Sequence, residues 1–245
     1  MSGCVLLPAL LWAMSWTHFG QMAEDYDSAR PPYPQAVFEV LKDQRVIGPG
    51  LKVLEVGAGS GLATRELVSS GSHVVALEPG RDLASRLKQA VPSASVVQSR
   101  LEDASLPDAT FDSAVAATSM HWIDLSIGLP RLHASIHPGG SLAVFRNIFG
   151  DAGGHTEFRD HVRQIMARRE GYDVSGPPPE SRPTMRELAA EGLFLPMQTE
   201  RWKWAIELTT PQVTRLFRTF SNWTEQEVHD VAAAAEACGG RVTEH

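Results

Sequence analysis

The chain has few cysteines and no long apolar run, and both absences restrict the classes of protein to which it can belong. Its 245 residues include only two cysteines, Cys4 and Cys238, which lie near opposite ends. Two distant cysteines supply neither a disulfide framework nor a zinc site, so we expect a reducing, cytoplasmic location. The apolar run at residues 4–14 contains Pro8, lacks a preceding basic residue and is too short to span a bilayer. We therefore expect neither a signal peptide nor a membrane partner.

An excess of basic charge is also missing. The 22 lysines and arginines are outnumbered by 29 aspartates and glutamates, and the net charge is −7 at pH 7. Nucleic-acid binding depends on clustered basic residues that release counterions, so we expect no nucleic-acid partner and favour a small-molecule substrate. Two histidines, His155 and His161, lack the i, i+4 spacing and the companions of a metal site, so no metal is predicted.

The most informative segment present is residues 51–67, which read as a buried strand, a glycine-rich turn and a helix start. The turn contains Gly57, Ala58, Gly59 and Gly61. Its glycines permit positive φ angles and close backbone approach, and the helix N-terminus directs amide donors at a ligand. The segment predicts a site for a nucleotide-like ligand. The alternative is a tight turn that only packs the strand against the helix.

Two features distinguish this turn from a dinucleotide-binding fingerprint. The G-x-G-x-x-G pattern requires a glycine where this chain has Leu62. Glu55 lies just before the first glycine and would repel a pyrophosphate, but it suits a ligand that carries a cation. Glu78, followed by Pro79, ends the next apolar strand and could accept hydrogen bonds from both hydroxyls of a ribose. Each glutamate could instead cap the turn that follows its strand.

The pattern E-x-G-x-G-x-G after a strand resembles motif I of the class I methyltransferases, whose cofactor, S-adenosylmethionine, carries an ammonium and a sulfonium but no phosphate. The resemblance covers residues 19–145 and includes Leu106 and Pro107 before the fourth strand and the Pro-Gly-Gly turn at residues 138–140 before the fifth. It implies an α/β, doubly wound, Rossmann-like fold. The sheet is then mostly parallel with an antiparallel last strand, and helices cover both faces.

Two further segments resemble the branch of this family that is related to trans-aconitate methyltransferase and acts on small molecules. They are residues 19–34, which end in Arg-Pro-Pro-Tyr-Pro, and residues 118–124, which read Thr-Ser-Met-His-Trp-Ile-Asp. In relatives the first segment lies over the cofactor pocket. Arg100 departs from the small acidic residue that the family commonly carries near adenine. The motifs and the resemblance imply cofactor contacts from Tyr26, Arg30, Glu55, Gly57, Ala58, Gly59, Gly61, Glu78, Pro79, Arg100, Leu101, Glu102, Thr118 and Trp122.

We expect the transferred methyl group and its acceptor to meet where the fourth strand ends, because the carboxyl ends of strands in an open parallel sheet face the ligand crevice. His121 follows that strand and is the candidate proton acceptor, with packing against the cofactor as the alternative. Tyr26 is a second catalytic candidate. With Arg30 it could hold the methionine carboxylate or an acidic substrate, and the alternative is a solvent-facing arm.

The predicted organisation is an N-terminal appendage at residues 1–18 and a single methyltransferase domain at residues 19–245. Within the domain, residues 19–145 form the cofactor-binding core and residues 146–238 a helical, substrate-side region. Met14 is a hypothetical natural start, and the stretch 241–245 is short for a seventh strand, as if the C-terminus were clipped. We predict helices over 35–42, 81–90, 128–136, 156–169, 185–193, 211–220 and 225–237, and strands over 95–98, 111–118, 141–145 and 202–208.

The sequence therefore predicts an S-adenosylmethionine-dependent methyltransferase that acts on a small organic molecule. Two alternatives come from other classes. One is a catalytically silent, methyltransferase-like binding protein, because an intact cofactor motif does not guarantee an acceptor pocket. The other is a nicotinamide-dependent oxidoreductase, which Leu62 and Glu55 disfavour.

Overall fold

A five-stranded parallel sheet lies at the centre of the computed structural model, which describes residues 29–150, 155–170, 183–220 and 222–244. Its strands are β1 (Lys52–Val56), β2 (His73–Leu77), β3 (Ser95–Val97), β4 (Phe111–Ala117) and β5 (Ile136–Phe145). They lie in the order β3-β2-β1-β4-β5. From β1 the strand order runs outward to β2 and β3 on one side, and from β4 it runs to β5 on the other side. Such a switch point in the strand order opens a crevice at the carboxyl ends of the strands. The predicted doubly wound fold is confirmed.

Helices cover both faces of this sheet because its strands are apolar on both sides. The helices are α1 (Gln35–Asp43), α2 (Thr64–Ser69), α3 (Arg81–Ala90) and α4 (Leu125–Ser135). Val53 of β1 packs with Phe38 and Leu67 on one face, and the next residue, Leu54, packs with Leu129 on the other. Successive side chains of a strand point to opposite faces, so one apolar run builds two cores.

The C-terminal part of the chain forms a third core of its own. Its elements are α5 (Glu157–Ala167), β6 (Ile206–Thr209), α7 (Thr210–Arg218), α8 (Glu225–Ala237) and β7 (Arg241–Glu244). The short helix α6 (Met185–Ala189) lies between α5 and β6 in the chain, but its Leu188 packs against the core of the central sheet that contains Leu54 and Leu129. Phe158, Val213, Phe217 and Val231 are buried together there. The predicted antiparallel last strand is present, but β7 pairs with β6 in a separate two-stranded sheet.

Several predicted boundaries differ from the observed ones for local reasons. Helix α4 begins at Leu125 rather than at residue 128, because the Asp124 side chain accepts a hydrogen bond from the Ser126 amide at 3.0 Å and caps the helix. Strand β5 includes the predicted Pro-Gly-Gly turn, since Phe111 pairs with Ile136 and Ser113 pairs with Ser141 across an irregularity. Strand β6 is shorter than predicted and starts at residue 206, and α6 ends at residue 189.

Candidate active site

The glycine-rich turn lies where β1 meets β4, and its glycines are required by that close approach. Gly57 has a φ of +66°, and a Cβ atom on it would lie 2.5 Å from the Ser119 Cβ. Gly61 has a φ of +97°, and a Cβ atom there would lie 2.5 Å from Leu87 Cδ1. A side chain at either position would strain the backbone and clash with a neighbouring element. The turn therefore brings the ends of β1 and β4 together beside a crevice.

The carboxyl group of Glu55 is the most unusual group at this junction. The residue is 1% exposed, and its Oε2 accepts a hydrogen bond from the Thr64 hydroxyl at 2.6 Å. Within the described ranges its Oε1 is buried and has no hydrogen-bond partner. Burial raises the pKa of Glu55 to about 8. The nearby charge of Glu78 also raises this pKa, whereas the hydrogen bond from Thr64 lowers it. The carboxyl group therefore keeps its proton at neutral pH until a cation favours ionisation.

Two cavities open on either side of the glycine-rich turn, and we name each after its buried glutamate. The Glu55 cavity encloses about 470 Å³ of space that is partly open to solvent. Its lining includes Arg30, Tyr33, Glu55, Ala58, Ser60, Leu62 and Asn147. The Glu78 cavity encloses about 680 Å³, again partly open, and its lining includes Glu78, Pro79, Arg100, Leu101, Glu102 and Trp122. Gly57, Gly59 and Thr118 line both cavities, so an elongated ligand could extend from one to the other.

Glu78 stands at the end of β2 and holds the glycine-rich turn. Its Oε2 accepts a hydrogen bond from the Gly59 amide at 2.8 Å, and its Oε1 accepts one from the Gly80 amide at 2.7 Å. Burial raises the pKa of Glu78, although both amide hydrogen bonds oppose the shift. Each carboxylate oxygen has a further lone pair, so the contacts with the turn leave acceptor capacity for a ribose. The predicted ribose contact stays a prediction.

The segment after β3 presents a second acidic group to the Glu78 cavity. Glu102 Oε1 lies 3.1 Å from Arg100 Nη2 and accepts a hydrogen bond from the Asp124 amide at 3.2 Å. Its Oε2 is buried and, among the residues that the structure describes, has no hydrogen-bond partner. Leu101 between them is buried. Arg100 stands where the family commonly carries a small acidic residue near adenine. Glu102, two residues later, supplies a carboxylate in the same cavity.

His121 follows β4 in a short 3₁₀ turn, Met120–Trp122. Its ring packs on Trp122 with centroids 4.9 Å apart, while the residue remains exposed to solvent. Desolvation and the positive charges of Arg146 and Arg30 lower the pKa of His121 to about 4. Since the residue is exposed, charge repulsion is the firmer of these causes. His121 is neutral at neutral pH, and it is not among the residues that line either cavity, whereas Trp122 lines the Glu78 cavity.

Arg30 connects the Glu55 cavity to the C-terminal part of the chain. Its Nη2 donates a hydrogen bond to the Thr219 carbonyl at 3.1 Å, and its guanidinium carbon lies 4.9 Å from the centroid of the Phe220 ring. These contacts hold the side chain at the cavity wall rather than on a solvent-facing arm. Tyr26, predicted to act beside it, lies outside the described residues, as does the appendage at residues 1–18.

Sequence reasoning did not assign Thr64 or Asn147 to the site. Thr64 binds Glu55, and Asn147 lines the Glu55 cavity just after β5. Tyr33 also lines this cavity, and it belongs to the segment at residues 19–34 that the resemblance placed over the cofactor pocket. Asn147 could have been found, because it follows the carboxyl end of a parallel strand, where ligand-binding residues collect. Thr64 could not, since only the folded turn brings it to Glu55. Within the described ranges, no group of three or more His, Cys, Asp or Glu side chains could hold a metal ion, and no helix is long and apolar enough to cross a membrane.

Comparison with known proteins agrees with this geometry. Residues 54–144 match the protein family described as "Methyltransferase domain". Uncharacterized methyltransferases of Mycobacterium bovis and Mycobacterium tuberculosis are each 30% identical over 129 residues, which is 53% of this chain and 51% of each relative. One from Schizosaccharomyces pombe is 29% identical over 125 residues, or 51% of this chain and 50% of the relative. The chain spans about half the length of the curated relatives it matches.

A solved structure shows that the similarity in fold extends further along the chain. A candidate type II methyltransferase of Anaeromyxobacter dehalogenans superposes with a TM-score of 0.54 at 24% identity, and the match covers 88% of this chain and 94% of that one. Residues 54–144 therefore match a methyltransferase domain in sequence, and the strand order and the superposition show a fold of the class I type. S-adenosylmethionine is the cofactor of this class of domain.

The buried carboxyl group of Glu55 predicts a pH-dependent stability in the ligand-free protein. Its pKa is about 8 when folded and near the ordinary value of 4.5 when unfolded, so folding binds a proton between these pH values. Stability from this group is full below 4.5 and is lost as the pH rises through 8. We expect Glu55→Gln to gain stability over wild type as the pH rises across this window, measured by urea unfolding. Glu39→Gln, on the exposed side of α1, is the matched control, and an equal gain in both variants would contradict the prediction.

Proposed function

We propose that this protein transfers the methyl group of S-adenosylmethionine to a small-molecule acceptor. The observation that carries the proposal is the buried Glu55 carboxyl group, whose Oε1 is without a partner in the described residues and which lines a cavity beside the glycine-rich turn. A buried polar atom without a partner costs free energy, and a ligand that supplies one recovers it. An ammonium group satisfies this oxygen and also favours the ionised carboxylate. The amino-acid end of S-adenosylmethionine carries such a group.

The other end of the cofactor fits the Glu78 cavity by the same reasoning. Glu102 Oε2 is buried there and has no partner within the described part of the chain, and the exocyclic amine of adenine is a donor that could bind it. Leu101 and Trp122 supply apolar and aromatic surface for the base. Glu78, with Pro79 beside it, would accept from the ribose hydroxyls.

The Glu55 cavity also contains a group for the cofactor carboxylate. Arg30 lines this cavity, and its guanidinium is a planar donor that suits a carboxylate. Ala58 and the glycines of the turn bring backbone close to the ligand on the opposite side. We therefore assign Arg30, Glu55 and the turn to the amino-acid end of the cofactor.

When bound, S-adenosylmethionine supplies a methyl group on a sulfonium, which is a good leaving group. The protein would contribute mainly by aligning the acceptor, since alignment alone can supply several kcal/mol of a barrier. His121 packs on Trp122, which lines the Glu78 cavity, and would accept a proton from an acceptor that approaches beside it. Its neutral form is populated above a pKa of about 4. We place the region at residues 146–238 on the acceptor side, because Arg30 at the cavity binds Thr219 and packs on Phe220.

Binding of S-adenosylmethionine should release a proton from Glu55. Below the Glu55 pKa of about 8 the carboxyl group is protonated, and an ammonium partner ionises it. We expect a micromolar dissociation constant, about −8 kcal/mol, with affinity rising as the pH approaches 8. Calorimetry in two buffers of different ionisation enthalpy measures the released proton.

The proton count also separates the cofactor classes. Glu55→Gln should bind more weakly and release no proton from this site, while Glu39→Gln should behave as wild type. A nicotinamide dinucleotide places a pyrophosphate over the turn, which would favour the protonated carboxyl group and release nothing. Tight binding of the dinucleotide without binding of S-adenosylmethionine would refute the proposal and favour an oxidoreductase.

The acceptor should be found among small molecules. With methyl-labelled S-adenosylmethionine and a cell extract separated by size, we expect label in the low-mass fraction rather than in protein or RNA, because the chain is acidic overall. Label confined to macromolecules would contradict the small-molecule assignment. Cofactor binding with no transfer to any fraction would instead favour a silent binding protein.

His121→Gln should lower turnover by about 100-fold and leave the affinity for S-adenosylmethionine unchanged. This is the low end of the range of rate losses, about 10²–10⁴-fold, expected when a general base is removed. The low end applies because a base with a pKa of about 4 accepts a proton weakly at neutral pH. The wild-type rate should fall only as the pH drops toward 4, where the imidazole becomes protonated. Turnover that matches wild type across the pH range would remove His121 from the mechanism.

A further inference from the structure

Thr118, the first residue after β4, has a backbone conformation that its side chain disfavours. Its φ is +57°, in the left-handed region. A β-branched residue is rarely found there, because its Cβ substituents crowd the backbone. Such a conformation persists only when the surrounding contacts impose it, and strained residues cluster at functional sites.

Contacts from two directions hold Thr118 in this conformation. Its amide donates a hydrogen bond to the Phe145 carbonyl at the end of β5, at 2.8 Å. Its hydroxyl lies 2.9 Å from the Tyr33 hydroxyl. The Tyr33 ring is itself fixed by edge-to-face packing on Phe145 and Phe38, with centroids 5.0 and 6.4 Å apart. The phenol is therefore a rigid support rather than a mobile surface group.

Thr118 also occupies a distinctive place between the two cavities. Among the residues that the structure describes, it is, apart from Gly57 and Gly59, the one that lines both the Glu55 cavity and the Glu78 cavity. It is therefore the shared residue that brings a side chain to the junction. A ligand that contacts Glu55 at one end and Glu102 at the other must pass it.

We propose that Tyr33 and Thr118 form a positioning pair, in which the Tyr33 phenol holds Thr118 at the junction so that the two halves of the cofactor bind in one fixed relative placement. This inference rests on the proposed function, because it assumes a ligand that spans both cavities. Tyr33 acts through Thr118. The pair would add affinity for the whole cofactor, whereas neither half alone depends on the junction.

The test compares a whole ligand with half of it. S-adenosylhomocysteine spans both cavities in this proposal, and 5′-methylthioadenosine represents the adenosyl half. Tyr33→Phe and Thr118→Ala each remove one hydroxyl of the pair. We expect each to weaken S-adenosylhomocysteine binding about fivefold, the size of a modest coupling between a supporting residue and a ligand site, and to leave 5′-methylthioadenosine binding unchanged. The double variant should lose no more than either single variant, because both changes break the same bond.

Two further variants control for general damage. Thr118→Ser keeps the hydroxyl and should retain wild-type affinity if the bond to Tyr33 is what matters. Thr214→Ala removes a partly buried hydroxyl that donates to the Thr210 carbonyl at 2.8 Å in α7, and it should not change the binding of either ligand. Thermal unfolding of each variant shows whether it is folded.

The results distinguish failure of this inference from failure of the proposed function. Wild-type protein that binds neither S-adenosylhomocysteine nor S-adenosylmethionine would overturn both. Wild-type binding that Tyr33→Phe and Thr118→Ala leave unchanged would overturn only the positioning pair. Additive losses in the double variant, or an equal loss for 5′-methylthioadenosine, would also overturn it, since the hydroxyls would then act separately or on one half alone.

Discussion

A carboxyl group buried at the end of β1 is the constraint on which the rest of the site depends. Glu55 is held away from water with one hydrogen bond from Thr64, and its Oε1 is without a partner in the described residues. Because burial disfavours the charged form of the carboxyl group, the pKa of Glu55 is raised to about 8. The fold tolerates it because α2, β1 and the ends of β2 and β4 pack around the group. In the proposed function, a cationic ligand would supply the missing partner and ionise Glu55, which would link cofactor binding to proton release.

The proposed cofactor site consists of two cavities on either side of one turn. Gly57 allows the end of β1 to approach Ser119, and the Gly59 amide binds Glu78, so the turn is fixed by contacts with β4 and with β2. Each cavity then presents a carboxylate oxygen that lacks a partner in the described ranges, from Glu55 on one side and Glu102 on the other. Thr118 stands between them in a conformation that its neighbours impose. In the proposed binding mode, the packing of β1 against β4 therefore sets the relative position of the two ends of the ligand.

The C-terminal part of the chain has its own core but is not separate from the site. Arg30 at the Glu55 cavity donates to Thr219 and lies over Phe220, both near the end of α7. A buried ion pair between Arg159 and Glu244 connects α5 with β7 inside this part. Because burial lowers the pKa of Arg159 to about 10 and Glu244 is fully buried, the pair depends on both members being present. Changes in the C-terminal core can thus reach the cofactor site through Arg30.

The sequence by itself determined the sheet, the glycine-rich turn and the chemistry of the cofactor. Apolar periodicity located β1, α3 and α8 closely, because buried strands and amphipathic helices carry their pattern locally. Glu55 was recognisable for the same reason, since its spacing from Gly57 is a local property. Boundaries failed where apolar periodicity did not decide them: the cap from Asp124 to the Ser126 amide extends α4, and the irregular pairing of β4 with β5 extends β5.

Only the tertiary structure decided how these residues act together. Thr64 reaches Glu55, Glu102 lines the Glu78 cavity, and Tyr33 reaches Thr118 across 85 positions of sequence. None of these contacts has a sequence pattern. The protonation state of His121 also depends on the fold, because Arg146 and Arg30, which lower its pKa, come from distant segments of the chain. Local sequence encodes elements and turns through short-range sterics and periodicity. Burial, charge coupling and backbone strain arise from chain segments that meet only after folding.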